Sequence, residues 1–150
     1  MRKIFFVILI VFGFIATGCS GKFKENAVEK FKDSGDGTVT DITTRLIWQK
    51  SDAKRDWEAA NTYCEELDYA NSQDWRLPSI EELRTIVDLT KSDLTIDPIA
   101  FPETKPSLYW SATTFDANYK NAMVVDFSNG DFHSDEKFFS NYVRCVRQGQ

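Results

Sequence analysis

Asp74-Trp75-Arg76-Leu77-Pro78-Ser79-Ile80-Glu81-Glu82-Leu83 carries the clearest local structural signal in this chain. Ser79 and Glu82 form a capping box. The Ser79 hydroxyl takes the backbone N–H of the third helical residue, and the Glu82 carboxylate reaches back to the N–H of the cap. Pro78 cannot continue a helix towards the N-terminus but is comfortable just before one. Ile80, Leu83 and Val87 follow at spacings of three and four, the stripe of an amphipathic helix. Arg76, held between Trp75 and Leu77, is expected to be half buried, where a guanidinium needs a counter-charge. Glu81 and Glu82 lie within reach, so Arg76, Glu81 and Glu82 read as a structural ion pair tying the loop to the helix. A ligand-binding arginine is the alternative.

Working outward, the elements fall into two groups. Upstream, Asp33-Ser34-Gly35-Asp36-Gly37 is dense in turn formers, Thr38–Asp41 alternates like a short strand, and Arg45–Gln49 reads as its partner. Asp56 then caps a first helix whose buried face is Trp57, Ala60, Cys64 and Leu67. Downstream, Lys91–Ser107 contains Pro98, Pro102 and Pro106 without periodicity and reads as a long ordered loop. Strands are expected at Leu108–Thr114, Ala122–Phe127 and Tyr142–Arg147, with Asn129-Gly130 turning a hairpin into Asp131-Phe132-His133. Helices early and strands late predict an α+β domain: two helices flanking a twisted, mainly antiparallel sheet, with a long irregular loop region.

The N-terminus addresses location. Arg2 and Lys3 precede an apolar run from Ile4 to Ile15, and small residues follow, the layout of a secretory signal. That run is shorter than the roughly 20 residues that span a bilayer. Ala16-Thr17-Gly18-Cys19 resembles a bacterial lipobox, which implies cleavage after Gly18 and a lipid (diacylglycerol, palmitate-type chains) on the Cys19 thiol. Ser20 replaces the aspartate of inner-membrane retention, so an outer-membrane lipoprotein is expected if the host is diderm. The expected organisation is a signal peptide over 1–18, a tether over 19–30 and one domain over 31–148.

Cleavage would leave 16 basic and 23 acidic side chains, a formal charge of −7, because only Arg2 and Lys3 are lost. Such a balance argues against nucleic acid as a partner. Of three cysteines, lipidation consumes Cys19, and Cys64 and Cys145 remain in an oxidising compartment, where a disulfide is expected. A free catalytic cysteine would need a base, and the sole histidine, His133, lies in a polar, turn-rich stretch. Glu65-Glu66 and Glu81-Glu82 offer paired carboxylates, but neighbours on a helix point about 100° apart and do not converge on one bond. Asp33, Asp36 and Asp41 miss the EF-hand pattern because Gly35 and Gly37 stand where oxygens belong. No metal, cofactor or catalytic residue is assigned, and an enzyme is not expected.

Five blocks occur in order: Gly35-Asp36-Gly37-Thr38-Val39-Thr40-Asp41, Leu46-Ile47-Trp48-Gln49-Lys50, Asp74-Trp75-Arg76-Leu77-Pro78 with Glu81-Glu82-Leu83, Tyr109-Trp110-Ser111, and Tyr142-Val143-Arg144-Cys145-Val146-Arg147. Together they resemble the family named after the C-terminal domain of a Legionella collagen-like adhesin, from about Phe31 to Arg147. The resemblance implies a C-type-lectin-like fold in an exported protein, often linked to adhesion or glycan contact. The Glu-Pro-Asn and Gln-Pro-Asp tripeptides of calcium-dependent lectins are missing; Asp97-Pro98 is the nearest fragment. The glycosaminoglycan association of the adhesin needs a basic face, which a charge of −7 opposes.

Ligand contact in such folds is expected on the loops: Lys91–Ser107, Phe115–Asn121 and Ser134–Asn141. The candidate binding residues are Phe115, Asp116, Asn118, Tyr119, Phe138 and Phe139, which combine rings with polar acceptors. One of Trp48, Trp57, Trp75 and Trp110 is expected to be exposed. The sequence thus predicts a lipid-anchored envelope protein whose module binds a glycan or protein partner, with envelope assembly without glycan binding as the first alternative and an enzyme of unrecognised type as the second.

Overall fold

The computed structural model describes residues 29–149; the expected signal peptide, Cys19 and all but the end of the tether lie outside the described residues. Strands β1 (Phe31–Asp33), β2 (Thr38–Asp41) and β3 (Leu46–Gln49) form a meander. The glycines permit the first turn. Gly35 and Gly37 have φ of +76° and +87°, and a Cβ on Gly37 would stand 1.8 Å from the Tyr69 hydroxyl. Asp33 and Asp36 accept N–H bonds from Gly35 and Thr38 at 2.9 and 3.0 Å, while Asp41 accepts from Thr43 and Thr44 at 2.8 and 3.2 Å. These carboxylates therefore close their own turns, as short acidic side chains do.

After β4 (Ala53–Arg55) comes helix α1 (Trp57–Glu65), capped by the Asp56 carboxylate on the Ala59 N–H. Helix α2 (Ile80–Thr85) starts at the Ser79–Glu82 capping box, both halves of which are formed. Then follow β5 (Leu108–Thr114), β6 (Asn121–Asp126), β7 (Asp131–Glu136), β8 (Asn141–Val143) and β9 (Val146–Gln148). They assemble an α+β domain with two sheets, in the orders β1-β2-β3-β9 and β4-β8-β5-β6-β7. All pairings are antiparallel except β5 with β8, which meet at Tyr109 and Tyr142.

Three expectations change. The single strand over Tyr142–Arg147 is two strands in different sheets, with Arg144 and Cys145 at the crossing. Ser134–Asn141 is not all loop, because β7 continues to Glu136 and leaves only 137–140 as a connection. No tryptophan among the four is exposed: Trp48, Trp75 and Trp110 are buried and Trp57 is half buried.

The second sheet is packed on both faces. Alternation along β6 sends Val125 into a cluster with Leu83 and Ile86 around α2, and Val124 into a cluster with Ala60 and Cys64 on α1. Cys64 and Cys145 are joined by a disulfide with Cα atoms 5.5 Å apart, which ties α1 to the crossing between the sheets. The long loop from 91 to 107 is ordered by burial of Ile96 and Phe101 and by two bonds from Thr95 to the Phe127 carbonyl, at 2.9 and 3.0 Å.

Candidate ligand-binding surface

Two features outside the ordinary core stand out, one an exposed groove and one a buried ionic cluster. The groove lies where β5 turns into β6 and β7 leaves for β8. The turn is built by Asn118: its N–H donates to the Phe115 carbonyl (2.9 Å), its amide Nδ2 donates to Asn121 Oδ1 (2.9 Å), and its Oδ1 accepts from the Lys120 N–H (3.1 Å). Asn118 thus shapes the turn, and its amide faces inward to it. The Lys137 N–H donates to the Lys120 carbonyl at 2.9 Å, which joins this turn to the β7–β8 connection. Lys137 in turn accepts from the Trp57 N–H (3.0 Å) and sets its ammonium 3.9 Å above the Trp57 ring, so the connection is pinned to α1 as well.

The result is a shallow groove of about 530 Å³ lined by Glu58, Tyr119, Lys120, Glu136, Lys137 and Phe138. Tyr119 is 79% exposed and Phe138 69% exposed. Phe138 leans on Phe139, with ring centres 4.2 Å apart. Of the expected binding residues, the fold brings Tyr119 and Phe138 together. Phe115, Asp116, Asn118 and Phe139 are exposed nearby without lining the groove. The sequence reading missed Glu58, Lys120 and Glu136. Glu58 sits on α1, far away in the chain, and the contacts of Trp57 with Lys137 and with the Ser111 carbonyl bring it here. The Lys91–Ser107 loop does not join this surface. It packs at the other end of β6, against Phe127, roughly six strand residues or about 20 Å away.

Arg76 forms a bidentate pair with Glu82, with nitrogen–oxygen distances of 2.7 and 2.6 Å, while Glu81 stays exposed and takes no part. The expected pairing with either glutamate therefore resolves to Glu82, which is the residue already fixed by the cap. Burial opposes ionisation of Glu82, yet the Arg76 and Ser79 hydrogen bonds outweigh it and hold the carboxyl below its ordinary value. The Arg76 backbone also bridges to Val146 in both directions at 2.9 Å, and these two bonds fasten the loop to β9.

The buried cluster centres on Arg144, which is fully enclosed. Its guanidinium faces Asp52 at 3.7 Å, donates to Thr104 Oγ1 at 2.9 Å and to the Lys50 carbonyl at 3.3 Å, and lies over the rings of Phe101 and Tyr109. Tyr109 donates its hydroxyl to Asp52 at 2.5 Å and accepts from the Lys105 N–H at 2.9 Å. Burial pushes the Tyr109 hydroxyl well above its ordinary range and lowers the Arg144 guanidinium. Nε and Nη1 of Arg144 are buried without a protein partner, so the cation is only partly satisfied. Sequence periodicity gives no sign of this cluster, because its members are spread from Lys50 to Arg144.

The blocks quoted from the sequence converge on these buried features. Gly37 fits against Tyr69, Trp48 and Trp110 fill the cores, and Tyr109, Arg144 and Cys145 build the ionic cluster and the disulfide. No curated protein matches the chain. The model of the family described as the Lcl C-terminal domain matches residues 37–147, which span all the elements from β2 to the first two residues of β9, and the chain belongs to that family.

Proposed function

We propose that this protein is a cell-envelope lipoprotein whose C-type-lectin-like domain binds a neutral or weakly charged glycan or a protein partner through the Tyr119–Phe138 groove. The observation that carries this reading is the groove itself. Two large rings lie exposed beside two lysines and two carboxylates, on a turn whose backbone is fixed by hydrogen bonds. Rings supply apolar contact, polar groups supply orientation, and a preformed turn limits the ordering cost of binding. Two helices on opposite faces of a strongly antiparallel sheet, with a long ordered loop, support the lectin-like comparison. Binding is proposed to be calcium-independent, since Asp33, Asp36 and Asp41 each commit one oxygen to their own turn, Asp33 gives the other to Lys50, and Asp41 is fully buried. Binding rather than catalysis is favoured because Glu58 and Glu136 are exposed, without the enclosed setting that acid–base catalysis uses.

A glycan array probed with the domain from residue 19 onwards, with and without calcium, tests the reading. Signals that survive calcium removal and vanish with Tyr119→Ala plus Phe138→Ala support it. Calcium dependence, or signals indifferent to the double substitution, would refute it. The anchor is tested separately. Cys19→Ser is expected to release the protein from the membrane fraction or to block processing, and a variant that stays with membranes at mature mass rules the anchor out.

A further inference from the structure

The exposed aliphatic side chains are not scattered. Ile99 is 84% exposed, Leu89 73% and Ile42 44%, and they come from three separate segments. All three surround the place where the chain enters the domain. The Ile42 N–H donates to the Lys30 carbonyl at 3.0 Å. Glu29 and Ile99 line one groove beside β1, of about 290 Å³. The Lys30 ammonium reaches the Thr85 carbonyl at the end of α2, and Leu89 follows four residues later, against the Gly130 turn. That turn is one end of the β6–β7 hairpin, and the Tyr119–Phe138 groove is at the other. The hairpin therefore separates an aliphatic pole from an aromatic pole by about 20 Å.

We infer that the aliphatic pole is a membrane-docking face, and that the domain sits on the bilayer through Ile42, Leu89 and Ile99 with its aromatic groove turned outward. The inference rests on the lipid-anchored reading above. Cys19 and Glu29 are ten positions apart, so the chain between them can reach at most about 36 Å. A lipid on Cys19 would hold the pole through which that segment enters close to the headgroups, at high local concentration. The exposed lysines Lys30, Lys32 and Lys91 stand among the acids Glu29, Asp33 and Asp93, so the pole has no net positive field. Its occupant is accordingly the apolar–polar boundary of a bilayer, with little demand for anionic lipid.

Nitroxide labels placed singly at 42, 89, 99 and 138 in the full lipidated protein, reconstituted in phosphatidylcholine vesicles, test the inference. The ratio of oxygen to nickel-chelate collisions should rise several-fold at 42, 89 and 99 and hold its soluble value at 138. Adding phosphatidylglycerol should change little. Mass analysis of the Cys19 peptide separates the two levels: an unmodified Cys19 removes the anchored reading itself. A lipidated Cys19 with water-exposed labels at 42, 89 and 99 overturns the docking face alone. Labels equally shielded in the unlipidated Cys19→Ser protein also overturn it, since cover would then come from the chain or a second copy.

Discussion

At the scale of single residues, the ionic cluster gives the sharpest energetic expectation. Asp52 is the carboxylate that faces the enclosed Arg144, and its side chain is only 8% exposed. Asp52→Asn leaves a buried cation facing a neutral amide, which is expected to cost about 3–5 kcal/mol in urea unfolding of the disulfide-intact domain. Replacing Arg144 by Met removes the charge together with its unsatisfied nitrogens and is expected to cost less than Asp52→Asn. The reverse order would show that the pair, rather than desolvation, dominates. Arg76 and Glu82 behave differently because both are partly exposed. The Glu82 carboxyl is lowered in the folded state, so the unfolded chain binds the proton more readily and stability rises with pH across that range. The contribution is present above the ordinary glutamate value and is lost on acidification below it. Solvent screening limits it to about 1 kcal/mol or less. Glu82→Gln should flatten this part of the acid limb in denaturation followed from pH 6 to about pH 3.

At the scale of elements, local signals were legible where one short stretch contains the whole interaction. Ser79 to Glu82 predicts its helix correctly because both partners of the cap lie within four residues. Ser79→Ala is expected to cost about 1 kcal/mol, measured by thermal or urea unfolding. The Gly37 turn reads equally well, yet its second constraint, the Tyr69 hydroxyl, is invisible without the fold. Gly37→Ala combines positive φ with that overlap and should destabilise by more than the ~1 kcal/mol of the conformational effect alone. The strand over 142–147 was misread because no glycine, proline or other turn former interrupts Tyr142-Val143-Arg144-Cys145-Val146-Arg147. What breaks it is tertiary: the disulfide at Cys145, the buried Arg144, and the Gln49 N–H donating to the Cys145 carbonyl at 3.0 Å. Strands β1 and β4 escaped notice for a simpler reason. Three residues cannot display a period of two, and their pairing is supplied by the ladders of β2 and β8.

At the scale of the whole molecule, the fold class was legible and the arrangement of loops was not. Three loops that seemed to form one binding surface fall at opposite ends of the β6–β7 hairpin, because strand length, which separates them, is not a property of the loops. The exposure of Phe115, Tyr119, Phe138 and Phe139 was still legible, since rings in short polar turns have little to pack against. Charge gives the remaining whole-molecule expectation. Lys120 and Lys137 in the groove are offset by Glu58 and Glu136, and Lys137 is further engaged with the Trp57 ring. From Cys19 onwards the sequence carries a formal −7. A polyanion therefore meets no basic patch at the groove and general repulsion elsewhere. The domain should pass a heparin column unretained at roughly 0.15 M salt, where the screening length is about 8 Å, and lower salt should not restore binding. Retention at low salt that collapses as salt rises would locate a basic face after all, and would return the sulfated-glycan reading ahead of the neutral one.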